Sequence, residues 1–320
     1  MSSFGMLLRN ENMKIYRRPR TWAMVGILIL ALMLLAGLMK WDESSSQDSA
    51  ANWKQNLMQD NEHMQQSLKE QAADSSPEMK QMMEERILLN EYAIEHDINP
   101  NENSLWSIVN ASSMLIVLVT LLTVVIAADM VAAEFSWGTI KLLLVGPASR
   151  SKVLLSKYAA SLLFALFLLV VNFAVSFALG AGLEGMDGLS QPLLTVGADG
   201  AVHEGSMLLD SLQRYGFSIV QLIMYVTMAF MISASFRSSS MAIAFSLLFI
   251  LAGNTLVNIL ARYEWVKYLM FANVDLSQYV SGTPIRPEMT LTFSIGILVA
   301  YYALFHFITW IMFTKRDVAG

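Results

Sequence analysis

Few residues in this chain have the type and spacing that chemistry requires. Histidine occurs at His63, His96, His203 and His306, too scattered for the paired imidazoles of a zinc hydrolase, and no HExxH is present. Glu84-Glu85 is a carboxylate pair, but it lies in a polar helical stretch and reads as a solvated face. There is no GxSxG elbow for a serine nucleophile and no GxxxxGK[ST] loop for a nucleotide phosphate. Cysteine is absent, which removes disulfides, thiolate metal sites and cysteine nucleophiles. The chain is therefore expected to be no enzyme and to hold no metal or cofactor itself, and no nucleic-acid partner is expected.

The remaining candidates are polar residues set in apolar surroundings. Asn110, Ser113, Val117, Thr120, Val124 and Ala127 follow steps of three and four, and Asn254 and Asn258 stand four apart. Asn172, Gln221 and Tyr225 are similarly placed. Polar groups on one face of a spanning helix either line a path or hydrogen-bond to neighbouring helices, and the spacing fits both. His306, beside Tyr301 and Tyr302, fits hydrogen bonding to a neighbouring helix better than a proton relay.

The elements that carry these residues are membrane helices. The chain has 320 residues, 55% hydrophobic and 15% charged, with mean hydropathy +0.48; soluble domains average about 25% charged. Six uncharged intervals of 19 to 26 residues are each long enough to span a bilayer. They predict spans at 21–39, 103–129, 158–181, 215–236, 238–261 and 289–314. With a cytoplasmic amino terminus, the inner segments hold 12 of the 21 Lys and Arg in less than half the loop length, as the positive-inside rule requires. The fold class expected is all-α integral membrane, with both termini cytoplasmic.

Residues 1–20 carry Phe4, Leu7 and Leu8 on one helical face and predict an interfacial amphipathic helix rather than a cleaved leader. Segment 40–102 predicts an extracytoplasmic helical hairpin. Trp53, Leu57, Met64 and Leu68 form one stripe, Ser76-Pro77 opens a second helix, and Met79, Met83, Ile87 and Tyr92 form another stripe. The glycines of 182–214 predict irregular backbone, and the aromatic 262–288 predicts short interfacial helices. Residues 315–320 are expected to form a cytoplasmic tail.

Segment 130–157 is the strongest local signal. It predicts a short amphipathic helix from about Glu134 to Val145, stopped by Gly146-Pro147, with Ser149 capping the next helix, so that Trp137, Lys141, Arg150 and Lys152 face water or lipid phosphate. The series Glu134, Gly138-Thr139, Lys141-Leu142-Leu143-Leu144, Pro147, Ser149-Arg150 and Lys157 resembles the loop after the second span in type 2 permeases of the ATP-binding-cassette export family. Arg17-Arg18 before a Trp22-led span, Phe271-Ala272-Asn273-Val274-Asp275-Leu276 before the last span, and Phe313-Thr314-Lys315-Arg316-Asp317 extend the likeness over nearly the whole chain.

The resemblance implies the transmembrane subunit of an exporter in a bacterial cell membrane, surrounded by membrane lipid. It implies pairing with a second permease copy or paralogue and docking on cytoplasmic ATPase subunits that hold ATP and Mg. Segment 130–157 would be the coupling elbow, with Glu134, Gly138, Thr139, Lys141 and Arg150 near the ATPase and Asp129 and Pro147 bracing the bend, Arg150 against Asp129. Asn110, Ser113, Thr120, Asn172, Gln221, Asn254 and Asn258 would line the path. The long external hairpin resembles that of bacitracin-resistance, lantibiotic-immunity and sodium-efflux permeases, which implies a role such as antibiotic resistance. The mild polarity of the spans favours an amphipathic cargo, a peptide antibiotic or a lipid-linked molecule. The competing reading is a non-transporting sensor or scaffold that presents the hairpin to a ligand or partner.

Overall fold

The computed structural model describes residues 4–45, 52–70, 77–100, 102–140, 148–197, 199–280 and 284–314. Within these the chain is almost entirely helical, and six helices are long and apolar enough to cross a membrane. They are α2 (Pro19–Ser45), the pair α5 (Leu105–Ser112) and α6 (Ile116–Ser136), α7 (Arg150–Glu184), α8 (Met207–Ser235), α9 (Ser239–Leu260) and α11 (Leu291–Thr314). The shorter helices are α1 (Phe4–Tyr16), α3 (Trp53–Glu70), α4 (Pro77–Glu95) and α10 (Met270–Asn273). Lipid offers no hydrogen bonds, so a span must satisfy its own backbone, and uninterrupted apolar runs do so as helix.

The chain divides into two compact units. The first comprises 1–31, 113–174 and 213–320. Its centre is α6, where Val119, Val124, Ala127, Ala128, Val131 and Ala132 are fully buried, together with Tyr225, Val226, Ala229 and Phe230 of α8. Small side chains bring these helices close enough for polar ties, since lipid supplies no hydrophobic drive between them. The Val131 and Ala132 amides both donate to Ser233 Oγ at 3.0 Å. Asn172 Nδ2 donates to Tyr215 OH at 2.9 Å, and the Tyr158 and Thr227 hydroxyls lie 2.8 Å apart.

The second unit comprises 32–112 and 175–212. Here the expected helical hairpin forms: α3 and α4 pack together, α4 begins at Pro77, and the buried amides of Asn61 and Asn90 meet at 2.7 Å. Leu57 of the first predicted stripe is buried, whereas Met79 of the second is exposed. Lys40 reaches Glu184 at 3.1 Å, and Trp106 Nε1 donates to Leu189 O at 3.2 Å.

Two expectations need correction. The predicted irregular 182–214 contains an antiparallel β-hairpin, β1 (Pro192–Val196) paired with β2 (Val202–Ser206), so the fold is not wholly α. Gly200, at φ +74°, supplies its turn. Span 2 is not one helix either: a 3-10 turn, Ser113–Leu115, separates α5 from α6, and Ser112 Oγ donates back to Val109 O.

Candidate functional site

At one end of the first unit four charged side chains from three helices converge. α1 turns Glu11 and Ile15 inward, the last turn of α6 supplies Glu134, and the second turn of α7 supplies Lys157. Lys157 Nζ lies 2.9 Å from Glu11 Oε2 and 2.8 Å from Glu134 Oε1, and its side chain is 2% exposed. Lys14 reaches Glu11 at 3.0 Å and Glu134 at 3.3 Å, and Thr139 Oγ1 donates to Glu134. An ammonium so deep costs several kcal/mol unless it is paired and hydrogen-bonded, so two carboxylates and two ammoniums form a mutually dependent, net-neutral set. Burial pulls the Lys14 pKa down, but the Glu11 and Glu134 carboxylates outweigh it and hold the net value above the ordinary lysine value of 10.5.

A second ion group lies on the same helices. Asp129, buried in α6, accepts from Arg18 Nη1 at 2.8 Å, from Arg20 Nη2 and from Ser239 Oγ at the start of α9. The Arg18 guanidinium also stands 4.7 Å over the Trp137 ring. These contacts join α1, the start of α2, α6, α7 and α9.

The elbow differs from the expected form. The helix expected from Glu134 to Val145 does not begin at Glu134: residues 134–136 are the end of α6, which runs on to Ser136, and a turn follows at Trp137, Gly138 and Thr139. Gly138 sits at φ +70° with open space around the position of a Cβ, so the glycine is required by backbone conformation and not by crowding. Glu134 is therefore held against Lys157, while Trp137 is exposed. Arg150 does not brace Asp129; it donates to Thr314 O at 2.9 Å, because Arg18 and Arg20 already occupy that carboxylate. Ser149 caps α7 as expected, its Oγ accepting from the Lys152 amide. Lys141, Gly146 and Pro147 lie outside the described residues.

Near the other end of the same unit is a cavity of about 590 Å³. Ser113, Ile116 and Val117 line it from the α6 side, Arg214, Phe217 and Gln221 from α8, and Asn254 and Asn258 from α9. The described part of segment 262–288 lines one side with Phe271, Val274, Asp275 and Gln278. This segment forms the expected short helices, Glu264–Tyr268, Met270–Asn273 and Leu276–Tyr279. Buried amides stitch it together: Asn273 Nδ2 donates to Lys267 O and Leu269 O at 2.7 Å, and Gln278 Nε2 donates to Ala272 O and Asp275 O. Phe271 lies flat on Gly253, where an added Cβ would meet its ring at 2.5 Å.

Of the seven expected path residues the cavity gathers four, Ser113, Gln221, Asn254 and Asn258. Thr120 donates to its own Ile116 O, Asn172 is buried against Tyr215, and Asn110, in the second unit, accepts from Ser211 Oγ at 3.2 Å. His306 bonds within its helix to Tyr302 O and meets the Tyr158 ring edge-on. Sequence reasoning gave no role to Glu11, Lys14, Arg20 or Ser239. The available signal was that Glu11 is the one acid among the first 20 residues and Lys157 directly precedes a span.

Six apolar helices with charge clusters at their ends define a multi-pass α-helical membrane protein. The chain belongs to the family described as Protein of unknown function (DUF2705), whose model matches residues 79–319. It is 41% identical over 317 residues to Uncharacterized protein YhcI of Bacillus subtilis (strain 168), covering 98% of this chain and 99% of that protein. It is 32% identical over 205 residues to Uncharacterized membrane protein YdbK of the same organism, covering 63% of this chain and 78% of that protein.

Proposed function

We propose that this chain is the transmembrane subunit of an ATP-driven exporter of the ATP-binding-cassette type, moved by separate ATPase subunits that hold ATP and Mg and paired with a second permease. Both termini and the 130–157 elbow face the cytoplasm of a bacterial cell, and the α3–α4 hairpin faces outward. The observation that carries the reading is the ionic set Glu11, Lys14, Glu134 and Lys157, which fixes the helix entering the elbow to the helix leaving it and to α1. A partner pressing on Trp137-Gly138 would move those helices together, because an intact buried ion set resists shear between its members. The loop likeness at Glu134, Gly138-Thr139 and Ser149-Arg150 supports the same partner.

The cavity supports an amphipathic cargo. Amides of Gln221, Asn254 and Asn258 and the charges of Arg214 and Asp275 face it beside Phe217, Phe271 and Val274, a mixture suited to a peptide antibiotic or a lipid-linked headgroup and too wide for a bare ion. Purification of the tagged chain from its native membrane is expected to bring down a phosphate-loop ATPase, whose hydrolysis a peptide antibiotic stimulates and sodium does not. Gly138→Trp, strained at a positive φ, is expected to keep the complex and uncouple hydrolysis from transport. Purification without an ATPase, or with a signalling kinase in its place, would overturn the reading in favour of a sensor.

A further inference from the structure

We infer that the α1 end of the first unit binds anionic phospholipid headgroups through a mixed methionine and arginine face of α1. Met6, Arg9, Met13 and Arg17 succeed one another at steps of three, four and four, and all four are exposed. The opposite face of the helix, Glu11 and Ile15, is buried. Neither Arg9 nor Arg17 makes an ion pair among the described residues, and the same holds for Lys152 and Arg237 at this end.

The acids that could neutralise them are already engaged. In 4–20, 129–140, 148–157 and 237–239 there are nine Lys and Arg against Glu11, Asp129 and Glu134. Lys14, Lys157, Arg18 and Arg20 occupy all three. The surplus positive charge therefore faces outward, in need of an external anion.

The phospholipid is favoured over an acidic protein by what shares the face. Guanidinium groups take phosphate oxygens two at a time, and thioethers between them suit the boundary where headgroups meet acyl chains. Position agrees: α1 ends at Tyr16 and the spanning α2 begins at Pro19, so the face runs directly into the start of a span, with Arg17 two residues before it. Exposed Trp22, whose Nε1 donates to Tyr16 O at 2.8 Å, stands at that edge as interfacial tryptophans do. Such a surface serves the chain with or without an ATPase partner.

Native mass spectrometry of the full chain in neutral detergent, titrated with phosphatidylglycerol or phosphatidylcholine, tests this. The wild type is expected to prefer phosphatidylglycerol by about tenfold or more, since each basic side chain at an anionic surface is worth roughly a factor of five. Arg9→Gln with Arg17→Gln is expected to abolish most of that preference and leave phosphatidylcholine binding unchanged, while Arg9→Lys with Arg17→Lys retains it. If the double glutamine variant aggregates, Arg9→Gln alone is expected to lose about fivefold. Equal affinity of the wild type for both lipids, or unchanged preference in the glutamine variants, would overturn the inference. So would displacement of the lipid by an equal concentration of inorganic phosphate, or occupation of Arg9 and Arg17 by a co-purifying acidic protein.

Discussion

The two ends of the first unit use polar residues in opposite ways. Near the end of α6, every carboxylate has its cation: Glu134 and Glu11 share Lys157 and Lys14, and Asp129 holds Arg18 and Arg20. Near the start of the same helix, Asn254 and Asn258 stand exposed beside a cavity of about 590 Å³; Asn254 Oδ1 accepts from Tyr225 OH at 3.4 Å, and the Asn258 side chain makes no hydrogen bond among the described residues. Val117 and Glu134 are 17 residues apart, so the two regions are separated by about 25 Å of helix rise. A closed, net-neutral ionic set confers rigidity. An amide left open in a membrane helix, as at Asn258, is tolerated where it faces water or a ligand, which suits this region to receive one.

The contrast makes the ionic end sensitive to single changes. Lys157→Met leaves Glu11 and Glu134 buried with only Lys14 to share, and should cost about 3–5 kcal/mol, read as loss of folded protein or a large drop in Tm in detergent. Asp129→Asn removes the partner of two arginines and should cost about 2 kcal/mol in the same assay, less because Arg18 and Arg20 are both partly exposed. An Asp129→Asn variant as stable as wild type would show that this second group is not structural.

At the cavity, Gly253→Val should drive the Phe271 ring toward the open space, costing about 1–2 kcal/mol and reducing binding of the proposed cargo well beyond what the stability loss explains. Lys14→Met should cost about 1 kcal/mol. Because the folded pKa of Lys14 lies above its ordinary value, its contribution is fully present below pH 10.5 and is lost only as pH rises through the folded value; loss near neutrality would contradict the pairing. Smallest of all, Asn254→Leu with Asn258→Leu should leave the unfolding free energy within about 0.5 kcal/mol of wild type while binding and transport of the proposed cargo fall. Equal losses of stability at both ends would erase the distinction.

The sequence shows the spans clearly, because an uncharged run of 19 to 26 residues has few other uses. It shows the α3–α4 hairpin through Ser76-Pro77 and the short helices of 262–288 through their aromatic cluster. The β-hairpin at 192–206 escaped notice because its glycines read as irregular backbone rather than as turn residues between Leu194 and Val202. Polar face-counting found Ser113, Gln221, Asn254 and Asn258 but also Thr120 and Asn172, since periodicity does not separate a cavity wall from a helix contact. The ionic set was invisible for a different reason: Glu11 and Lys157 lie 146 residues apart, and nothing in spacing reveals that Arg150, the first residue of α7, would find a carbonyl while Lys157 would find two acids.

The neutrality of that set governs how the membrane itself can act on this end of the molecule. A charge crossing the full bilayer field exchanges about 2.3 kcal/mol per 100 mV, but Glu11, Lys14, Glu134 and Lys157 travelling as one body carry no net charge through it. The displacement of those four charges is by itself blind to voltage, so any pull of the resting potential on this end falls on the surplus cations beside them, Arg9, Arg17, Lys152 and Arg237.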